Sequence, residues 1–343
     1  MISYELTEGN TSLIKQDKPP SDLAEGYAKV KVAGCGLCHT DLSFIFGGVQ
    51  TKKRLPLVLG HEISGIVTEG THEGKKVIIP AVIPCGTCEA CGCGNPRICF
   101  HQIMPGNDID GGFAEFIDVP ERELVLLPDE LDEESLARHS VIADAVTTPL
   151  QAIHNLQLKA GDLAILIGCG GVGGFAALLA LSYGATVIAL DIDDEKLKKL
   201  NRHGVQHSLN IKGMEGRKIK AQIRDLCKSE SYPMFAHKIF EMSGTPQGQE
   251  MAFSLINHGA SVATVGFTMD KVQVRLSNLM AFDARIIGNW GADPRIYPEA
   301  VQIAAKGDLR LEEFTELYPL AQINQVIDKA RSGQLKSRAV LVP

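Results

Sequence analysis

The sequence predicts an α/β protein whose middle part is a doubly wound parallel sheet. Two local observations and one global one carry this. Between Leu163 and Asp191 an apolar strand, a glycine-rich turn, a buried helix and a second apolar strand follow one another. Strand-like and helix-like apolar runs then keep alternating to about residue 289, the pattern of parallel strands joined by helical crossovers. The 343 residues are also too many for one ordinary domain, so about two domains are expected.

Composition narrows the classes. The chain is 45% apolar with a net charge of −7, a soluble globular balance that argues against nucleic acid or an anionic membrane as partner. The opening MISYELTEGN lacks the basic and apolar regions of a signal peptide, so a cytoplasmic location is expected. Leu163–Leu190 carries no charge over 28 residues, long enough to span a bilayer, but six glycines break it into strand, turn, helix and strand. Nine cysteines without an export signal point to metal or catalytic use rather than to disulfides.

Taken in chain order, GCGLCHTD and LVLGHEISG come first, each a glycine-punctuated segment with one potential ligand, Cys38 and His61. Either alone is a weak signal, because a lone cysteine is more often a small buried apolar residue. IPCGTCEACGCGNPRIC is stronger. Cys85, Cys88, Cys91 and Cys99 follow C-x2-C-x2-C-x7-C, in which short loops let four thiolates reach one ion. Four thiolates close a tetrahedral zinc site and leave no position for substrate, so this site is structural. Cys93 falls outside the spacing. No Lys/Arg run flanks the lobe, unlike zinc modules that bind nucleic acid. ADAVTTPLQA follows, with Asp144 set among small and apolar neighbours, where a carboxylate needs a partner for its charge.

The next segment reads as one strand–helix–strand unit. LAILI is the first strand, and Gly168-x-Gly170-x-x-Gly173 follows it directly, with Gly171 and Val172 inside the turn. FAALLALSYG is the helix, ending at Gly184, and TVIAL is the second strand, closing on Asp191. In this context the glycines let a pyrophosphate approach a helix N-terminus, the Rossmann arrangement. Asp191 can accept hydrogen bonds from both ribose hydroxyls of NAD and would repel the 2′-phosphate of NADP. Asp193 or Asp194 is expected to cap the following helix.

These motifs together resemble the zinc-dependent medium-chain alcohol dehydrogenases over nearly the whole chain. Gly36–Asp41 is similar to the family's first ligand motif, Gly60–Glu62 to its second, and the four-cysteine spacing, DGGFAEF and SRAVLV are family-like. The resemblance implies a mostly β, GroES-like catalytic domain over 1–145 and 290–343, with the Rossmann NAD-binding domain, 146–289, inserted in it. The inter-domain cleft would hold both zinc and nicotinamide. The family's third catalytic zinc ligand is usually a cysteine placed four residues before a threonine; here that place is Asp144, with Thr148 and Ala152 at the family offsets. Asp144 is therefore expected to complete the catalytic zinc set with Cys38 and His61; the alternative is a carboxylate outside the coordination shell, with water completing the site. Glu62 would be an alternate or neighbouring partner.

The resemblance also implies zinc-assisted transfer of a carbinol hydride to NAD, with two zinc ions per chain. Thr40 matches the family's proton-relay hydroxyl. Ser43 stands where a relay histidine is common. His39 and Arg338 match residues that meet the pyrophosphate, and Lys196 would lie near the adenosine ribose. Val265 and Gly266 match the strand end beside the nicotinamide, and Gly288, Asn289 and Trp290 the stretch whose backbone meets its carboxamide. A homodimer or homotetramer through the Rossmann domains is expected by analogy.

Three segments are similar to a narrower branch of the family: MPGNDIDGGFAEF, SVIADAVTTPLQAI and VGFTMDKVQVRLSNLMAFDARIIGNWG. That branch oxidises a cyclic allylic alcohol carried as a CoA thioester, 6-hydroxycyclohex-1-ene-1-carbonyl-CoA, in anaerobic aromatic degradation. Thr51-Lys52-Lys53-Arg54 is a basic run compatible with CoA phosphates or with a solvated loop. The rivals are a zinc dehydrogenase of free alcohols or polyols, an enoyl reductase, and a non-catalytic NAD-binding sensor with structural zinc. Reductase relatives generally lack both zinc sites, so Cys38, His61 and the four-cysteine lobe speak against that option.

Overall fold

The computed structural model describes residues 1–19 and 22–343. The chain forms two compact units, Met1–Thr147 with Gly291–Pro343, and Thr148–Trp290.

The first unit is built on strands β1 (Ile2–Leu6), β2 (Ile14–Asp17), β3 (Tyr27–Gly36), β4 (Leu57–Val58), β5 (Glu62–Glu69), β6 (Lys76–Ile79), β7 (Phe116–Pro120) and β8 (Val125–Leu126). β3 is the hub. It pairs antiparallel with β5 and β7, and two register shifts against β5 mark bulges that bend the strand. Its inward residues Val30 and Val32 join Leu57, Leu59, Ile63, Phe113 and Leu341 in one core. Glycine at position 34 has a packing reason: a Cβ there would stand 2.5 Å from the carbonyl oxygen of Ala137, in the helix Glu133–Arg138. That helix starts where Asp132 accepts the main-chain N–H of Ser135 at 2.7 Å.

The second unit holds β9 (Leu163–Ile167), β10 (Thr186–Asp191), β11 (His207–Asn210), β12 (Lys238–Glu241), β13 (Ser261–Thr264) and β14 (Arg285–Gly288). They form one parallel sheet in the order β11-β10-β9-β12-β13-β14. β9, all apolar in sequence, is buried at every position, as a central parallel strand covered on both faces must be. The helix Gly171–Ser182 is apolar all round and correspondingly buried. It starts four residues before the Phe175 that opens the helix-like run in the sequence. The last glycines of the turn are already helical, because only a residue without Cβ fits there: at Gly173 a Cβ would lie 1.8 Å from the carbonyl oxygen of Gly168. The next helix, Asp194–Arg202, is capped by Asp193, whose carboxylate accepts the N–H of Glu195 at 2.9 Å.

The chain then returns to the first unit with β15 (Thr315–Pro319) and β16 (Arg338–Val342). β16 pairs with the end of β3, Leu341 opposite Cys35. Among the described residues no helix is long and apolar enough to cross a membrane.

Candidate active site

Three separate pieces of the first unit converge on one point. Cys38 caps the helix His39–Phe46 in extended backbone, just past the end of β3. Its own N–H donates to Asp41 Oδ2 at 2.9 Å, which fixes the helix entry. His61 immediately precedes β5. Asp144 ends the short 3-10 turn His139–Ala143 in irregular backbone, φ −141° and ψ −57°. Asp144 Oδ2 stands 3.7 Å from Cys38 Sγ and 3.7 Å from His61 Nε2. Ligand atoms of Cys38, His61, Glu62 and Asp144 all lie within 4.8 Å of one another.

These residues fit zinc. Bonds of about 2.0–2.3 Å in a tetrahedron put ligand atoms about 3.3–3.8 Å apart. A thiol, an imidazole and a carboxylate, mostly buried and facing one another, are the donor set such an ion needs. The other ring nitrogen, His61 Nδ1, has no hydrogen-bond partner and faces Asp41 Oδ1 at 3.7 Å. Asp41 is fully buried and also accepts the N–H of Gly60 at 3.1 Å. It thus turns the imidazole so that Nε2 points to the site. Burial opposes a charge on His61, but the carboxylates of Asp41 and Asp144 with the Cys38 thiol outweigh it and push the imidazole pKa well above its usual value. Such an environment, in effect, attracts a cation.

Glu62 is fully buried beside this group and pairs with Arg338, whose Nε reaches Oε2 at 3.1 Å while Nη2 meets Oε1. Burial pushes the Glu62 pKa up and the guanidinium works against that rise. The carboxylate fits only because Gly36 has no side chain; a Cβ there would stand 2.0 Å from Oε2. Arg338, expected at a pyrophosphate, is thus found on a carboxylate and itself buried. Thr40 Oγ1 lies 3.7 Å from Cys38 Sγ. Ser43 is one helical turn on, and its hydroxyl donates to the carbonyl of His39 at 3.0 Å. His39 opens the helix and is exposed.

The four cysteines form a second cluster. Cys88 Sγ is 3.6 Å from Cys91 Sγ and 3.7 Å from Cys99 Sγ, again the edge lengths of a zinc tetrahedron. Main-chain N–H groups are aimed at the sulfurs: Cys85 Sγ faces those of Thr87 and Cys88 at 3.4 and 3.3 Å, and Cys99 Sγ those of Cys85 and His101 at 3.2 and 3.3 Å. The Thr87 and Cys88 donors hold the Cys85 thiol down to about 5, a thiolate ready to ligate. Cys93 stays exposed outside the cluster.

In the second unit, Gly168 has φ +86° and no room for a side chain against Ser243, while Gly170 faces open space. That is the cradle a pyrophosphate needs at the N-terminus of the helix Gly171–Ser182, where Gly171 and Val172 form the first turn. Asp191 is buried, and its carboxylate accepts the N–H of Cys169 at 2.6 Å and of Asp193 at 2.9 Å. It therefore shapes the glycine turn from behind as well as standing at the strand end. Lys196 is half-buried on the following helix. The N–H groups of Val265 and Gly266 both donate to the carbonyl of Glu241, at 3.0 and 3.1 Å. Asn289 is held by the carbonyl of Thr148 at 3.1 Å and by Asn155 at 2.8 Å, and Trp290 is 56% exposed.

Two residues were missed by motif reading. Asp41 sits inside a quoted motif but received no role. Glu241 ends an unremarkable strand, yet its buried carboxylate binds Ser243 and Gly244, tying down the loop beside the glycine turn. In the basic run, Lys52 pairs with Asp108 at 3.1 Å and Lys53 with Asp110 at 2.6 Å, surface ion pairs that a stronger anion can displace.

Comparison with known proteins agrees with this geometry. Residues 24–129 match the family model of the alcohol dehydrogenase GroES-like domain, and residues 171–306 that of zinc-binding dehydrogenases. An alcohol dehydrogenase of Geobacillus stearothermophilus is 30% identical over 96% of this chain and 94% of its own. Galactitol 1-phosphate 5-dehydrogenase of Escherichia coli is 30% identical over 76% of this chain and 75% of its own. The crystal structure of an alcohol dehydrogenase from Aeropyrum pernix superposes with a TM-score of 0.89 at 28% identity, with all of both chains covered. The chain belongs to the zinc-dependent medium-chain alcohol dehydrogenases, oxidoreductases that act on CH–OH groups with zinc and a nicotinamide dinucleotide.

Proposed function

We propose that this enzyme oxidises a small alcohol with NAD at the Cys38–His61–Asp144 site. The observation that carries the reading is the 3.7 Å spacing of Asp144 Oδ2 from both Cys38 Sγ and His61 Nε2. When bound, zinc supplies Lewis acidity that makes a carbinol easier to deprotonate, and the nicotinamide accepts the hydride. Cys38, His61 and Asp144 hold the ion with one imidazole and two anionic groups, and Asp41 fixes the imidazole. A carboxylate donates less electron density than the thiolate usual at the third position, which leaves more acidity for the substrate. Thr40 Oγ1, beside Cys38, would act as a relay: it accepts the carbinol proton while passing its own hydroxyl proton on to solvent. Ser43 commits its own proton to a main-chain carbonyl and serves only as an acceptor further out. Asp191, with its carboxylate at the end of β10, favours NAD over NADP.

Two finer readings of the substrate remain distinguishable. Polyols are favoured by the relationship to galactitol 1-phosphate 5-dehydrogenase. A cyclic allylic alcohol carried as a CoA thioester is favoured by the three branch-like segments. The test is NADH formation by the purified protein with a cyclic hydroxy-enoyl-CoA, polyols and simple alcohols. Turnover of none of them would sink the proposal. A homo-oligomer formed through the second unit is also proposed. Among the described residues β14 is the edge strand of its sheet and leaves Ile286 exposed, and Leu276 and Met280, just before it in the chain, are more than half exposed, a surface suited to pairing with a second copy. Light scattering showing a monomer would remove it.

A further inference from the structure

Cys38 and His61 stand next to regular strands and helices, but Asp144 sits in irregular backbone, and something has to hold it. The carbonyl just before it, that of Ala143, is buried and accepts two side-chain hydroxyls. Tyr297 Oη donates to it at 2.6 Å, and Thr147 Oγ1 at 3.1 Å. Tyr297 is 1% exposed and its hydroxyl also accepts the N–H of Ala81 at 3.2 Å, so the ring is anchored at a second point. Both lone pairs of the Ala143 oxygen are thus taken up, one by a local residue and one by a residue 154 positions away.

From this arrangement we infer that Tyr297 and Thr147 are positioning residues for Asp144. They fix the peptide plane that enters the ligand residue, and so the depth at which its carboxylate meets Cys38 and His61. A carboxylate is shorter-bonded to zinc than a thiolate, which makes the site sensitive to where that backbone lies. The inference rests on Asp144 being a metal ligand.

The test measures zinc affinity by chelator competition, following the equivalent of zinc that a Cys38→Ala variant lacks. Outer partners of metal ligands are worth about 10–100-fold in affinity. Tyr297→Phe, which keeps the ring, and Thr147→Val are each expected to weaken binding at least about 10-fold, whereas Thr147→Ser keeps the hydroxyl and the affinity. In an Asp144→Ala background, Tyr297→Phe should cause no further loss. An equal loss in both backgrounds would mean that Tyr297 acts on the fold rather than through Asp144 and would overturn the inference. So would native affinity in Tyr297→Phe, or in Thr147→Val should the tyrosine variant fail to fold. Native affinity in Asp144→Ala would instead remove the ligand assignment itself, a result readable separately from the other two.

Discussion

The guanidinium of Arg338, at the start of β16, lies on the carboxylate of Glu62, at the start of β5 and 276 positions earlier. Both are buried. Removing one member of such a pair leaves the other charge buried and unpaired, which costs about 3–5 kcal/mol. Arg338→Ala is therefore expected to lower the stability of the first unit by about that amount, read from the urea midpoint. If the midpoint does not move, the pair is not formed in solution.

Asp144→Asn keeps the shape of the ligand and removes its charge. Turnover should fall at least about 100-fold, the upper end of what even outer partners of a metal site contribute. NAD affinity should stay within about twofold, because the glycine turn belongs to a separate compact unit with its own core. Full activity in this variant would take Asp144 out of the metal site.

Asp191→Ala should do two things at once. It removes the acid expected to meet the ribose, and it frees the N–H groups of Cys169 and Asp193 that shape the turn. The Michaelis constant for NAD should rise by at least about tenfold, matching loss of hydrogen bonds to a charged group. Discrimination against NADP should relax. An unchanged NAD-to-NADP ratio would show that the acid does not read the ribose.

His139 and His237 predict an acid limit to stability. Burial lowers both below the usual 6.5; each ring faces a carbonyl oxygen, that of Ser135 at 2.6 Å and that of Pro233 at 2.8 Å. The unfolded chain then takes up protons that the folded chain refuses. Their contribution to stability is complete above about pH 6.5 and is lost as the pH falls from there toward the depressed folded values. The excess of the native urea midpoint over that of a His139→Gln/His237→Gln variant should be constant between about pH 7 and 8 and shrink below about 6.5. An identical slope in the two proteins would assign the acid limit to other groups.

Local chemistry explains what could be read early. LAILI and TVIAL have to be buried parallel strands because nothing polar breaks them, and the glycine spacing between them permits only one turn. Four cysteines within 15 residues can meet an ion through short loops alone, since their distance in space is bounded by their distance in sequence. Asp193 as a helix cap is a choice between two neighbouring acids that the backbone makes locally.

What only the tertiary structure decided involves partners far apart in the chain. Family resemblance grouped Asp144 with Cys38 and His61, but its own sequence neighbours carry no sign of them; the fold sets its Oδ2 3.7 Å from the sulfur of Cys38, 106 positions away. Arg338 carries no sequence signal for Glu62, and the KIFE strand none for Glu241 as a loop anchor. The basic run at Lys52 and Lys53 shows no counter-charge in sequence, because Asp108 and Asp110, which pair with it, are brought to it only by the fold. Periodicity and spacing report what a residue does to its own few neighbours. Where a charge finds its counter-charge depends on which strands lie side by side, and that is a property of the whole packed chain.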